Sequence, residues 1–192
     1  MDHKSVFNKI YNDNAWGCGS GWGSVPKSTE AYRQFIMDFI RFNEIKSVLD
    51  IGCGDWQFSK LIDWSGIQYT GLDVSDVVLS NTKNLARPGV SFIEANALTD
   101  PLPEAELVLI KDVLQHWSNV DIINFLPRLG KFDRALITNG FSPGQLVNTN
   151  KDIKTGGWRP VDLIKQPFNL KGSYIYQYVG DEPKRIFLLN TI

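Results

Sequence analysis

Apolar positions along this chain follow two different periods. Tyr32, Phe35, Ile36, Phe39 and Ile40 fall on one face at helical spacing. That helix is expected to open near Pro26, with Ser28 as its N-cap and Glu30 in the first turn. From Lys46 the pattern changes to short apolar runs at 47–51, 68–73, 90–94, 106–110 and 134–138. Helices are expected between them, from Gly54 to about Asp63, over 76–86 with Asp76 as N-cap, and over 120–129. Short buried strands alternating with helices predict an α/β domain whose parallel sheet is covered on both faces.

After Thr138 the alternation stops. Residues 140–172 are rich in Gly, Pro and Asn and lack periodicity, and a loop of that length inside a compact domain tends to be functional. Two strand-like runs, 173–179 and 185–189, finish the chain around Gly180-Asp181-Glu182-Pro183. Their hairpin-like pairing gives a mostly parallel sheet an antiparallel edge.

Composition narrows the function. The chain has 192 residues, the size of one domain, and no internal repeat or linker divides it. No apolar run is long enough to span a membrane, and the polar start Met1-Asp2-His3-Lys4-Ser5 leads into no signal-type block, so a cytoplasmic location is expected. With 20 basic and 21 acidic residues there is no surplus positive charge to grip a phosphate backbone, and a nucleic-acid partner is not expected. Two cysteines and two histidines provide neither a disulfide framework nor zinc-site spacing, so no metal is expected.

The most informative stretch is Leu49-Asp50-Ile51-Gly52-Cys53-Gly54-Asp55-Trp56. Glycines at 52 and 54 let the backbone turn sharply off a strand and approach a ligand closely. A dinucleotide site would carry a third glycine where Gln57 stands, so the G-x-G-x-x-G fingerprint is incomplete. Asp50, just ahead of the first glycine, suits a cofactor bearing an amino group better than one bearing phosphates. Asp73 closes the second strand about twenty residues on, where a carboxylate accepts from ribose hydroxyls.

These features resemble motifs I and II of the Rossmann-like (class I) S-adenosylmethionine-dependent methyltransferases. Gly19-Ser20-Gly21-Trp22-Gly23-Ser24, Asp112-Val113-Leu114-Gln115-His116 and Gly156-Gly157-Trp158-Arg159-Pro160 extend the likeness to a compact bacterial and phage-type subgroup. The resemblance implies a doubly wound, mostly parallel seven-stranded sheet, with S-adenosylmethionine as cofactor and S-adenosylhomocysteine as product. It implies that Asp50, Gly52, Cys53 and Gly54 line the methionine half, that Asp73 and Val74 face the ribose, and that Asn96 and Ala97 read the adenine. Asn96 could instead serve only to form a turn. Trp22 and Arg33 belong to the same cofactor side, in an N-terminal lid and helix segment spanning 1–45.

Methyl transfer from a sulfonium needs alignment and exclusion of water, plus a base when the acceptor is a hydroxyl or a protonated amine. His116 and Asp112 are the candidate catalytic groups. His116 could equally be a core or capping histidine, and Asp112 a cofactor-pocket residue. Trp16, His116, Asn148, Trp158 and Arg159 are the candidate acceptor residues, with 140–172 as the acceptor-side loop. Arg159 would supply an anion contact or, alternatively, a surface ion pair, and Trp16 and Trp22 a binding wall or a loop anchor. The expected activity is methylation of an O or N atom of a small molecule or glycan by a monomer or homodimer. Rival readings are a protein or nucleic-acid methyltransferase, a nicotinamide-linked oxidoreductase and a non-catalytic binding module.

Overall fold

The computed structural model describes residues 2–141 and 149–190. Among them β1 (Ser47–Ile51), β2 (Gln68–Asp73), β3 (Val90–Glu94), β4 (Leu107–Lys111), β5 (Arg134–Gly140), β6 (Ser173–Val179) and β7 (Pro183–Asn190) form one sheet in the order β3-β2-β1-β4-β5-β7-β6. The first five strands run parallel, and β7 runs against both β5 and β6. The antiparallel element is thus an edge hairpin, with β7 inside and β6 outermost. The fold is α/β, Rossmann-like and doubly wound, as expected.

Both faces of the sheet are covered because the central strands are apolar on both sides; all five residues of β4 are buried. Leu49, Ile51, Val108, Ile110 and Ile137 pack with Phe7 of α1 (His3–Asn12) and with Ile122 and Phe125 of α4 (Asn119–Phe125). Val48, Tyr69, Leu107, Leu109 and Leu136 pack with Tyr32, Ile36 and Ile40 of α2 (Glu30–Phe42) and with Val78 and Leu79 of α3 (Asp76–Thr82). Among the described residues no helix is long and apolar enough to cross a membrane.

Several local expectations need correction. No α-helix follows Gly54; the chain makes turns and one 3-10 turn, Ser59–Leu61. Trp56 explains this: it takes a left-handed φ of 56° while its side chain is buried against Tyr69 and Phe92, which interrupts helical backbone. Ser28 does not cap α2. Pro26–Thr29 is a 3-10 turn, the Thr29 hydroxyl donates to the Val25 and Pro26 carbonyls, and α2 begins at Glu30. Ser75, not Asp76, caps α3 by accepting from the Val78 amide, leaving Asp76 to pair with Lys4 at 2.8 Å. The helix expected over 120–129 starts one residue earlier, capped by Ser118, and tightens into a 3-10 segment at Leu126–Lys131, which contains Pro127.

Strand order reverses between β1 and β4, the switch point at which open α/β sheets hold ligands beyond the strand C-termini.

Candidate active site

A cavity of about 280 Å³ opens at that switch point. Gly52, Asp73 and Val74 contribute from the ends of β1 and β2, and Asn96 and Ala97 from the end of β3. Lys111, Asp112 and Val113 contribute from the end of β4. The Gly-rich segment from Ser20 to Ser24 lies along one side.

The turn after β1 is built for close approach. Gly52 has φ of 76°, and a Cβ there would stand 2.4 Å from Val113 Cγ2. Gly52 lines the cavity, whereas Asp50, Cys53 and Gly54 do not. The Asp50 carboxylate turns into the protein and accepts from Tyr69 Oη at 2.6 Å and Ser59 Oγ at 3.4 Å. Burial pushes its pKa up to about 6 against the pull of those two donors. Burial likewise raises the Cys53 thiol well above its usual range. Among the groups expected at the methionine half, the backbone at Gly52 is the one that meets the cavity.

Asp73 faces the cavity from the end of β2. Its oxygens accept from the amides of Gly54 at 3.0 Å and Ser75 at 2.9 Å. Burial again dominates and raises its pKa to about 6. Each carboxylate oxygen has a second lone-pair site, so the group still has capacity for hydroxyl donors. Asn96 closes a turn by accepting from the Leu98 amide at 3.0 Å, while remaining on the cavity wall with Ala97.

Beyond β4 lies a charge cluster. Asp112 has left-handed backbone (φ 57°), and its two oxygens meet Lys111 Nζ and Lys184 Nζ, the latter at 2.9 Å. Lys184 also contacts Glu182 at 2.9 Å and Asp181 at 3.2 Å, while Lys111 donates to the Gly23 carbonyl at 2.9 Å. Burial alone would raise the Asp112 pKa, but the two ammonium groups outweigh it and hold the carboxylate below its ordinary value. Burial lowers Lys111 and raises Glu182. Both oxygens of Asp112 are therefore committed to lysines. Sequence reasoning missed Lys111 and Lys184. A lysine ending a wholly apolar strand was the available signal for the first, and nothing local marked the second.

His116 sits in the 3-10 turn Leu114–His116, at the mouth of the cavity. Its Nδ1 lies 2.8 Å from the Gly157 carbonyl, which only accepts, so Nδ1 carries the proton and Nε2 is left as an acceptor. Burial lowers its pKa, so the imidazole is neutral at pH 7. Trp16 lies against the ring, centroids 5.0 Å apart. Trp158 and Trp22 line the rim, 48% and 66% exposed.

Two expected residues point elsewhere. Arg33 donates to the Pro26 carbonyl at 3.3 Å and does not line the cavity. Arg159 is buried in the protein, not on the surface, and it does not line the cavity either. Asn148 lies outside the described residues. Among the described residues no group of three or more His, Cys, Asp or Glu is placed to hold a metal ion.

A family model described as the O-methyltransferase domain matches residues 6–141. A ribosomal protein L11 methyltransferase from Campylobacter fetus is 29% identical over 132 residues, covering 62% of this chain and 47% of the relative. The chain thus spans about half the length of the curated relative it matches. Among solved structures, magnesium protoporphyrin IX methyltransferase from Synechocystis with bound S-adenosylhomocysteine superposes with a TM-score of 0.67. It is 14% identical, with 97% of this chain and 98% of that one covered. Human N-acetylserotonin methyltransferase with S-adenosylmethionine gives 0.62 at 15% identity, with 99% of this chain and 60% of that one covered. At those identities the structures speak to fold alone. With the match covering well over half of its length, the chain belongs to the O-methyltransferase domain family, a family of S-adenosylmethionine-dependent class I methyltransferases.

Proposed function

We propose that this protein methylates a hydroxyl group of a small molecule, using S-adenosylmethionine, with His116 as general base. The observation that carries this reading is the state of His116. The ring lines the cavity, its Nδ1 lies against the Gly157 carbonyl and burial lowers its pKa, which favours a neutral imidazole with Nε2 as the proton acceptor. Asp112 is the poorer base, because two lysines already share its charge.

The cavity suits the cofactor. Asp73 keeps unused acceptor capacity, Asn96 and Ala97 form a wall with both polar and apolar character, and Gly52 brings bare backbone to the wall where a Cβ would collide with Val113. Asp73 would hold the ribose, Asn96 and Ala97 the adenine, and Gly52 with the Gly-rich segment the methionine end. The cofactor supplies an electrophilic methyl group on a sulfonium. The protein aligns the acceptor, excludes water and takes up the acceptor proton at Nε2. Trp16, Trp22 and Trp158 give the acceptor a largely aromatic surround, which fits a small flat molecule better than an extended polymer. Residues 16–24 act as a lid over the cofactor.

Calorimetry with S-adenosylmethionine and S-adenosylhomocysteine on wild type and Asp73→Ala tests the cofactor half; micromolar binding, markedly weakened in the variant, is expected. Screening hydroxylated aromatic small molecules for S-adenosylhomocysteine release tests the acceptor half. A folded wild type that binds neither nucleoside defeats the proposal. Release driven by a ribosomal protein but by no small molecule would replace it with protein methylation, the activity named for the Campylobacter relative.

A further inference from the structure

Residues 149–161 pass beneath the turn that carries His116 and tie themselves to it at every carbonyl. The Gly156 amide donates to the His116 carbonyl at 2.8 Å, and the Arg159 amide to the Gln115 carbonyl at 3.2 Å. The Arg159 guanidinium donates through Nη1 to the Leu114 carbonyl at 2.7 Å and through Nη2 to Asn119 Oδ1 at 2.9 Å. All three carbonyls of the Leu114–His116 turn are therefore held by this one segment. Between the anchoring residues, Gly157 turns its own carbonyl to His116 Nδ1 and Trp158 faces the cavity.

Arg159 is an expensive anchor. It is 3% exposed, its hydrogen bonds go to neutral oxygens, and burial lowers its pKa to about 10. A buried cation that meets only a turn carbonyl and a side-chain amide is costly unless the geometry it holds matters. Chains that hold a reacting imidazole commonly fix the ring through a partner on its other nitrogen, and that partner must itself be fixed.

We infer that Arg159 is a positioning residue for His116: by clamping the turn at Leu114 through its guanidinium and at Gln115 through its amide, it sets the Gly157 carbonyl on Nδ1 and so keeps Nε2 as the acceptor facing the cavity. This rests on the reading of His116 as base, and it replaces the expectation that Arg159 meets the acceptor.

The chain has two histidines, so long-range proton–nitrogen NMR of the imidazoles resolves each of them. Wild type should show His116 as the Nδ1–H tautomer. Arg159→Gln should mix in the Nε2–H tautomer and lower methyl transfer about 10²-fold, the penalty typical of a misplaced catalytic group. Cofactor affinity should be unchanged. Arg159→Lys, which keeps the charge and loses the fork, should restore the tautomer in part. If Arg159→Gln does not fold, Asn119→Ala removes the Nη2 acceptor, along with the Asn119 Nδ2 bond to the Asn150 carbonyl, and should mix in less of the Nε2–H tautomer. An unaltered tautomer in any folded variant of this series, with only a lowered melting temperature, would overturn the inference. Failure of the base reading shows differently, as full activity in His116→Asn.

Discussion

Ser20 and Asp55 hold each other through two reciprocal hydrogen bonds, Ser20 N–H to Asp55 Oδ2 at 3.1 Å and Asp55 N–H to Ser20 Oγ at 2.9 Å. Tyr11 Oη lies 3.0 Å from the same Ser20 Oγ, and Gln57 reaches the Cys18 carbonyl at 3.1 Å. The Gly-rich segment is thereby fastened to the turn after β1, with α1 behind it. A second fastening, Lys111 Nζ to the Gly23 carbonyl, holds its other end.

Gly54 packs directly under this contact. Its φ is 56°, and a Cβ there would fall 2.2 Å from Ser20 Oγ. Gly54→Ala should therefore lift the segment, accelerate amide exchange across residues 17–24, and weaken cofactor binding about tenfold, or ~1.4 kcal/mol. Ser20→Ala should do the same more mildly. Exchange and affinity both at wild-type values in Gly54→Ala would remove the lid from the proposal.

Asp50 and Asp73 share a raised pKa of about 6 yet differ in where they point. For both, the folded state binds the proton more tightly than the unfolded chain does. Their stabilising contribution is thus complete below the unfolded value of 3.8 and is lost as pH rises through about 6. The cost at pH 7 is on the order of 3 kcal/mol each. Asp50→Asn and Asp73→Asn should both gain melting temperature relative to wild type as pH goes from 4 to 7. Only Asp73→Asn should lose cofactor affinity, and in wild type that affinity should fall as pH drops below about 6. Equal loss of affinity in the two variants would return Asp50 to the cofactor site.

The five parallel strands were legible because each is an apolar run bounded by Gly, Pro or Asp, and the Gly52 turn and Asp73 follow from where those strands end. Helix α1 was harder to see: Val6, Phe7, Ile10 and Tyr11 do fall at helical spacing, but the helix is ten residues long and buries only His3 and Phe7 outright. Trp56 reads as a helical residue until its burial forces a left-handed backbone. Arg159 and Trp158 sit side by side in sequence and point to opposite sides of an irregular segment, a direction that no periodicity fixes. Lys184 reaches Asp112 across 72 residues, so the pairing exists only in the folded sheet.

That pairing sets up a third expectation. Lys184 is the shared counter-charge for Asp112, Asp181 and Glu182, with its side chain 2% exposed. Lys184→Met leaves three carboxylates around a buried apolar chain and should cost about 3–5 kcal/mol in urea denaturation. Adding Glu182→Gln, whose pKa burial already raises, should recover part of the loss. A single variant as stable as wild type would mean that the cluster is solvated.

The sharpest test concerns proton transfer. His116→Asn keeps a side-chain group able to meet the Gly157 carbonyl but has no imidazole to accept a proton, so methyl transfer should fall about 10²- to 10⁴-fold. Cofactor affinity should hold, because no cofactor-facing group changes. Burial depresses the His116 pKa below its ordinary 6.5, which favours the neutral ring in the folded state. The wild-type rate should therefore climb with pH along a limb whose midpoint lies below 6.5 and be flat by pH 7. His116→Asn should lack that limb. A limb that persists in the variant would assign the titration to another group, with Asp73, at about 6, the first to examine by comparing cofactor-saturated and unsaturated rates.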